Sequence, residues 1–155
     1  MKQILLSFVI ALTMSQCTEN RVRPITDEAL TIRSGTSFGM CIGYCQNDYT
    51  FNGTSATLIQ SGIRTQNETP TKTCQAVISP ADWNGLKVLA DFDAFSNVTT
   101  TLGCPDCADG GAEYVELQMG DQKHRVTFEF NKTIPGFEPL VDALRKARES
   151  VKDCK

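Results

Sequence analysis

The cysteines constrain this chain more than any other feature of its sequence. Seven occur among 155 residues, and the first, Cys17, ends an apolar leader. The remainder is an even number of half-cystines spread over a short chain: Cys41, Cys45, Cys74, Cys104, Cys107 and Cys154. Small extracellular domains are commonly held together by such a set. The sequence therefore predicts a disulfide-stabilised domain that folds in an oxidising compartment.

Residues 1–17 have the parts of a secretory signal peptide. A basic start at Lys2 precedes an apolar run from Ile4 to Leu12, which is too short to span a bilayer. Cleavage after Cys17 would leave a flexible arm, residues 18–29, and one domain, residues 30–155. Alternatively, Leu12 to Cys17 resembles a bacterial lipoprotein box, in which Cys17 is acylated and anchors the chain in the envelope. The first route predicts a secreted protein and the second a lipid-anchored one.

Four asparagines stand in N-glycosylation sequons, each with threonine in the third position: Asn52, Asn67, Asn97 and Asn131. A glycan must lie on the surface, so these positions are predicted to be exposed. Four sequons in one short chain favour a eukaryotic secretory pathway. The expected product is a secreted glycoprotein.

The hydrophobic pattern predicts an α+β fold. Apolar and polar residues alternate as in half-buried strands at 30–37, 113–119 and 123–130, and the last two form a hairpin around Gly120-Asp121. Asn52-Gly53 predicts a second hairpin with a type I′ turn. One helix is expected from Ser79 to about Phe92 and another from 138 to 152. The expected architecture is an antiparallel sheet of four or five strands with two helices, in a two-layer sandwich.

Charge excludes one class of partner. The net charge is −3 and both signs are interspersed, so no basic patch indicates nucleic-acid binding. Four cations near the end of the last helix are predicted to face solvent and complement the helix dipole: Arg145, Lys146, Arg148 and Lys152.

The cysteine spacings allow three interpretations. Cys41-x3-Cys45 and Cys104-x2-Cys107 would suit a zinc site, but thiolates are lost to disulfides in an oxidising compartment. Cys104-Pro-Asp-Cys107 could be a thiol-disulfide redox centre, although a Gly-Gly turn follows it instead of a helix. The favoured interpretation is three structural disulfides. Fifteen pairings are possible, and we expect Cys41 and Cys45 to join Cys104 and Cys107, with Cys74 joined to Cys154.

No set of residues defines a reaction. The single histidine, His124, lies on a predicted strand on the same side as Val126, which favours a half-buried structural role. Four acids crowd one region and could bind calcium weakly: Asp106, Asp109, Glu113 and Glu116. Their spacing fits no EF-hand loop, so a solvated acidic loop is the simpler interpretation.

Two elements resemble an uncharacterised family of secreted or lipid-anchored domains: Cys41-Ile-Gly-Tyr-Cys45, and the stretch from Leu102 to Glu113 that contains Gly-Cys-Pro-Asp-Cys-Ala-Asp-Gly-Gly. The resemblance spans about Leu30 to Val151. It implies one domain in an extracellular setting, and it implies no activity, because the function of such domains is unknown.

Together these features predict a secreted, non-enzymatic glycoprotein domain without a cofactor. Its role would be binding or structural, with an extracellular protein, matrix or mineral surface as partner. The alternatives are a small redox protein that works through Cys104 and Cys107, and an envelope binding module anchored through Cys17.

Overall fold

A computed structural model describes residues 30–63 and 69–151 of the chain. Its strands are β1 (Leu30–Ser37), β2 (Gln46–Asn52), β3 (Ser55–Ser61), β4 (Lys72–Val77), β5 (Thr101–Leu102), β6 (Ala112–Met119) and β7 (Gln122–Glu129). Its helices are α1 (Pro80–Leu89), α2 (Phe92–Phe95) and α3 (Glu138–Val151). The α+β class is confirmed.

The strands form one sheet in the order β4-β3-β2-β1-β6-β7-β5. All neighbours are antiparallel except β5, which pairs with β7 in parallel. The predicted antiparallel sheet of four or five strands is therefore wrong in number and in type. Of the strands beyond the predicted number, β5 has two residues, and so short a strand cannot show the alternation by which strands are recognised.

One face of the sheet is apolar and the helices cover it. Side chains at every second position point to this face, among them Leu30 and Ile32 of β1, Leu117 of β6 and Phe128 of β7, all at most 1 % exposed. The buried face of α3 packs over them with Leu140, Val141, Leu144, Ala147 and Val151. This stripe is the one that the sequence pattern predicts. The opposite face of the sheet, called here the open face, has no helix over it among the described residues.

The helix predicted from Ser79 is two helices. The predicted cap is confirmed, because the Asp82 amide donates to Ser79 Oγ over 3.1 Å. However, α1 ends at Leu89, and Asp91 then starts α2 by accepting a bond from the Ala94 amide. Ala90 has non-helical dihedral angles, with φ of −91° and ψ of 67°, so the first helix ends there. Asp91 follows as a strong N-cap and begins a new helix, so the apolar positions do not lie on one continuous helix.

The hairpin between β2 and β3 turns one residue later than predicted. Asn52 is the last residue of β2 and pairs with Ser55, so Gly53 and Thr54 are the central residues of the turn. Only Gly53 has a positive φ, at +59°. A type I′ turn needs positive φ at both central residues, so the predicted turn type is wrong.

A buried ion-pair cluster fixes α3 to the middle of the sheet. Glu113 of β6 is 1 % exposed and accepts hydrogen bonds from the guanidinium groups of Arg145 and Arg148. Arg145 also donates to the Lys132 carbonyl over 2.6 Å, and Arg148 donates to the buried Ser34 hydroxyl over 3.3 Å. Arg145 and Arg148 therefore face the sheet, which corrects the predicted solvent-facing position of these two cations.

Several predictions fall outside the described residues. These are the leader with Cys17, the arm at 18–29, the sequon at Asn67, and the C-terminal residues Lys152 and Cys154. Within 30–63 and 69–151, the helices are too short or too polar to cross a bilayer.

The cluster around Glu113 predicts a large loss of stability on substitution. Glu113→Ala leaves two arginines without their carboxylate under α3, and breaking a buried pair costs about 3–5 kcal/mol of the free energy of unfolding. Urea denaturation measures this loss. Asp142→Ala is the matched control, because exposed Asp142 contacts the same Arg145 at 3.6 Å and should change stability by about 1 kcal/mol or less. Equal losses in the two variants would contradict the assignment.

Candidate functional site

Both disulfides of the described loops are local. Cys41 is bonded to Cys45 and Cys104 to Cys107, each with α carbons 5.5 Å apart. The expectation that the first pair joins the second across the fold is therefore wrong. Cys74 is also disulfide-bonded. Its predicted partner, Cys154, lies outside the described residues, so that pairing stays a prediction. In these disulfides the sulfurs are not thiolates, and the zinc interpretation loses its ligands.

The first disulfide closes a loop at one end of the sheet. We call residues 38–45 the stapled loop. The Phe38 amide donates to the Cys45 carbonyl over 3.1 Å, and the Cys45 amide donates to the Ser61 carbonyl over 3.0 Å. Cys45 is buried at 1 % exposure, whereas three apolar residues of the loop point outward: Met40 is 59 % exposed, Ile42 92 % and Tyr44 43 %. The result is a fixed protrusion with an apolar tip.

A second loop, residues 103–111, supports the stapled loop from the side. The Asp106 carboxylate accepts bonds from the Gly39 amide of the stapled loop and from the Gly111 amide of its own loop. Phe38 packs edge-on against Phe130, with 4.9 Å between ring centroids. Asp106 itself has φ of +59°, which aspartate tolerates better than most residues. One carboxylate therefore holds both disulfide loops together.

The Cys104–Cys107 disulfide lies at the surface beside a cavity of about 220 Å³. Glu129 lines this cavity and accepts a hydrogen bond from the Cys104 amide over 3.2 Å. A redox thiolate is usually stabilised by a helix N-terminus or a cation. Here a three-residue 3₁₀ turn, Cys107–Asp109, follows, and the charged side chains that hydrogen-bond to this loop are carboxylates, although Lys132 also lines the cavity. The surroundings favour a structural bond.

The four acids proposed for calcium are not gathered into one site. Glu113 lies under α3, while Glu116 lies on the open face, bonded to Arg33 and Arg125. Asp106 bonds to backbone amides, as described above. Among residues 30–63 and 69–151, three or more acidic, histidine or cysteine side chains do not converge on a common point. Calcium binding by Asp106, Asp109 and Glu113 stays a prediction without support from this arrangement.

The open face carries a second polar cluster next to the disulfide end. The Tyr114 hydroxyl reaches across Gly35 of β1 and donates to Asp48 of β2 over 2.6 Å. A Cβ at Gly35 would lie 2.6 Å from the Tyr114 ring, so this crossing needs glycine. Arg125 covers the ring at 4.0 Å. Burial, together with the hydrogen bond to Asp48, raises the pKa of Tyr114 well above its usual value of 10.0.

The remaining predicted residues have ordinary surroundings. His124 is half-buried, with Nε2 2.8 Å from the Val98 carbonyl, which agrees with the structural role predicted for it. Asn52, Asn97 and Asn131 are exposed, as occupied sequons must be, although their glycosylation stays a prediction.

The outward side chains of the stapled loop were not predicted from the sequence. A signal was present, because Met40, Ile42 and Tyr44 alternate with cysteine and glycine in a loop too short to bury its own side chains. The role of Asp106 had no such signal, since its partners Gly39 and Gly111 are defined only by the folded backbone.

No protein-family model matches the chain, and no curated protein matches it.

The Tyr114–Asp48 contact predicts a pH effect on stability. Folding holds Tyr114 protonated, so its contribution is complete below pH 10, the pKa of the unfolded chain, and is lost as pH rises toward the folded pKa. The free energy of unfolding should therefore fall more steeply above pH 10 in the wild-type chain than in Tyr114→Phe. Urea denaturation at pH 8, 10 and 11 measures the two slopes. Identical slopes would show that the pKa of the Tyr114 phenol is the same in the folded and the unfolded chain.

Proposed function

We propose that the chain is a secreted, disulfide-stabilised, non-enzymatic domain that binds an extracellular protein through the stapled loop. The observation that carries this proposal is the exposure of Ile42, 92 %, at the tip of a loop closed by a disulfide. An isolated exposed apolar residue needs no explanation, but three on one rigid protrusion form a contact surface.

The rigidity of the loop supports a binding role. A flexible loop would lose conformational entropy on binding, and that loss would offset much of the gain from burying its side chains. The stapled loop is already ordered by the Cys41–Cys45 disulfide, by the Phe38 and Cys45 amides and by Asp106. Binding would therefore require little further ordering of its apolar side chains.

The chemistry of the tip favours a protein over a mineral surface. Mineral binding through calcium needs converging carboxylates, and the acids nearby are bonded to arginines or to backbone amides. Met, Ile and Tyr instead suit an apolar pocket on another protein. The disulfides are compatible with an extracellular location, and exposure of the three described sequon asparagines is compatible with glycosylation. Lipid anchoring through Cys17 would change the location and leave the binding loop unchanged.

The loop predicts a specific contact that depends on Ile42. A photo-crosslinking amino acid at Tyr44 in the full chain, exposed to the medium of its native source, should give one defined product. Ile42→Ser should lower the yield about tenfold or more, because burying such a side chain contributes about 1.5–3 kcal/mol. Ile42→Ser should leave the free energy of unfolding unchanged, since the side chain is exposed.

Val88→Ser is the matched control, because Val88 is 84 % exposed and lies on α1, away from the stapled loop. Equal yields in the two variants would count against the loop as the contact. Sedimentation of the chain with phosphatidylcholine vesicles, abolished by Ile42→Ser, would identify a lipid surface and contradict a protein partner.

The redox alternative makes a different prediction for Cys104 and Cys107. A redox centre would reduce insulin disulfides in the presence of dithiothreitol and lose this activity in Cys107→Ser. With a structural bond, the insulin assay should show no rate above dithiothreitol alone. The double variant Cys104→Ser/Cys107→Ser should then lower the free energy of unfolding by about 2 kcal/mol, as expected for so short a disulfide loop. Insulin turnover that requires Cys107 would establish the redox function instead.

A further inference from the structure

The two edges of the sheet differ in how they are protected. Proteins usually protect sheet edges with very short strands, charged side chains such as lysine, proline or bulges, because unpaired backbone groups there attract other strands. The edge at β5 is two residues long. The edge at β4 has six residues, Lys72–Val77, and contains neither proline nor glycine. The side chain of Val77 on β4 is 81 % exposed, so the open face of the sheet is uncovered at this strand.

The hydrogen-bond pattern shows which backbone groups of β4 face outward. The Ile78 amide donates to the Thr54 carbonyl over 2.9 Å, in register with the pairing of Ser55 and Val77. Hydrogen-bonded and non-hydrogen-bonded pairs alternate in an antiparallel ladder. Cys74 and Ala76 therefore bond to β3, and the amides and carbonyls of Thr73, Gln75 and Val77 point away from the sheet. Their side chains are exposed on the open face.

The outward residues are complementary to a second copy of the same strand. In an antiparallel pair centred on Gln75, Thr73 of one copy lies opposite Val77 of the other, and the two Gln75 residues face each other. Each of these pairs exchanges two backbone hydrogen bonds. Threonine–valine pairs suit adjacent strands, and the two glutamines can bond to each other. Lys72, the only charge on β4, lies far from its symmetry mate in this register, so no like charges oppose pairing.

We propose that β4 is a dimerisation edge, at which two copies of this chain join their sheets by antiparallel β4–β4 pairing centred on Gln75. The arrangement is closed by a twofold axis between the two Gln75 residues, so the β4 edge of each copy is used up and pairing does not continue beyond two chains. The proposal does not depend on the stapled loop, which lies at an end of the strands and not along their edge.

Sedimentation velocity of the full chain between about 10 and 500 µM tests the proposal, because contacts of this size bind in the micromolar range or more weakly. Dimer is expected to increase with concentration in the wild type. Gln75→Pro removes only an outward amide and spares the β3 ladder, so it should weaken dimerisation about tenfold or more while the chain stays folded. Gln75→Thr keeps the amide and should dimerise like the wild type.

Charge exchange at Gln75 tests the register. Gln75→Lys and Gln75→Glu each place like charges opposite one another at the twofold axis, so each alone should dimerise severalfold more weakly. An equimolar mixture should regain the wild-type dimer fraction by forming the mixed dimer. Thr73→Lys is the matched control, because its lysines lie apart in this register and should weaken dimerisation less.

A chain that stays monomeric throughout this concentration range would overturn the proposal, as would a dimer that is insensitive to Gln75→Pro or a mixture that does not recover. Amide hydrogen exchange tests whether the β4 edge is already covered within one chain. If the Thr73, Gln75 and Val77 amides are protected in the monomer, another segment of the same chain covers the edge, and the proposal fails. Ile42→Ser should dimerise normally, so failure here is distinguishable from failure of the binding loop.

Discussion

The structure depends most on one buried carboxylate, that of Glu113. It lies on β6 next to the central strand β1, and two arginines of α3 bond to it. Because α3 closes the core, the position of this helix over the sheet is set by a charge contact as well as by apolar packing. Removing a charge pair from water costs free energy, so such a cluster gives little net stability and instead requires that one alignment be met. Glu113 is the second residue of β6, and the second loop ends at Gly111, immediately before this strand.

The disulfides and the hydrophobic core make different contributions to the structure. Both described disulfides close loops of a few residues, so they add little to the constraint on the unfolded chain and chiefly fix local shape. The connection between the two disulfide loops is made by other groups, namely the Asp106 carboxylate and the Phe38–Phe130 contact. The seven-stranded sheet and its helices supply an extensive core, and the disulfides shape one end of it. This arrangement is typical of a scaffold that carries a rigid surface loop.

Regular patterns in the sequence predicted the regular parts of the fold. The alternation in β1, β6 and β7 and the apolar stripe of α3 each report burial along one element, and all were confirmed. Features that depend on contacts distant in sequence were missed. Arg148 appears as a solvent-facing cation in a helix pattern, and only the fold brings it to Glu113, 35 residues away. The local disulfides were mispredicted because cysteine spacing alone does not decide between a bond within one loop and a bond between two loops. The apolar tip of the stapled loop could have been predicted from its length.

The surfaces left for interaction are distributed by the geometry of the sheet. The open face is largely satisfied internally, since Glu116 bonds to Arg33 and Arg125 and Tyr114 to Asp48. Among the described residues, the stapled loop at one end and β4 at one edge are the two surfaces that we propose for interaction, and they are perpendicular, because hydrogen bonds run across the strands. A partner on the stapled loop would therefore not compete with a second copy on β4. In the antiparallel dimer that we propose, the two stapled loops would point in opposite directions. Such a dimer would present its two stapled loops to two separate partners and could not hold one partner from both sides.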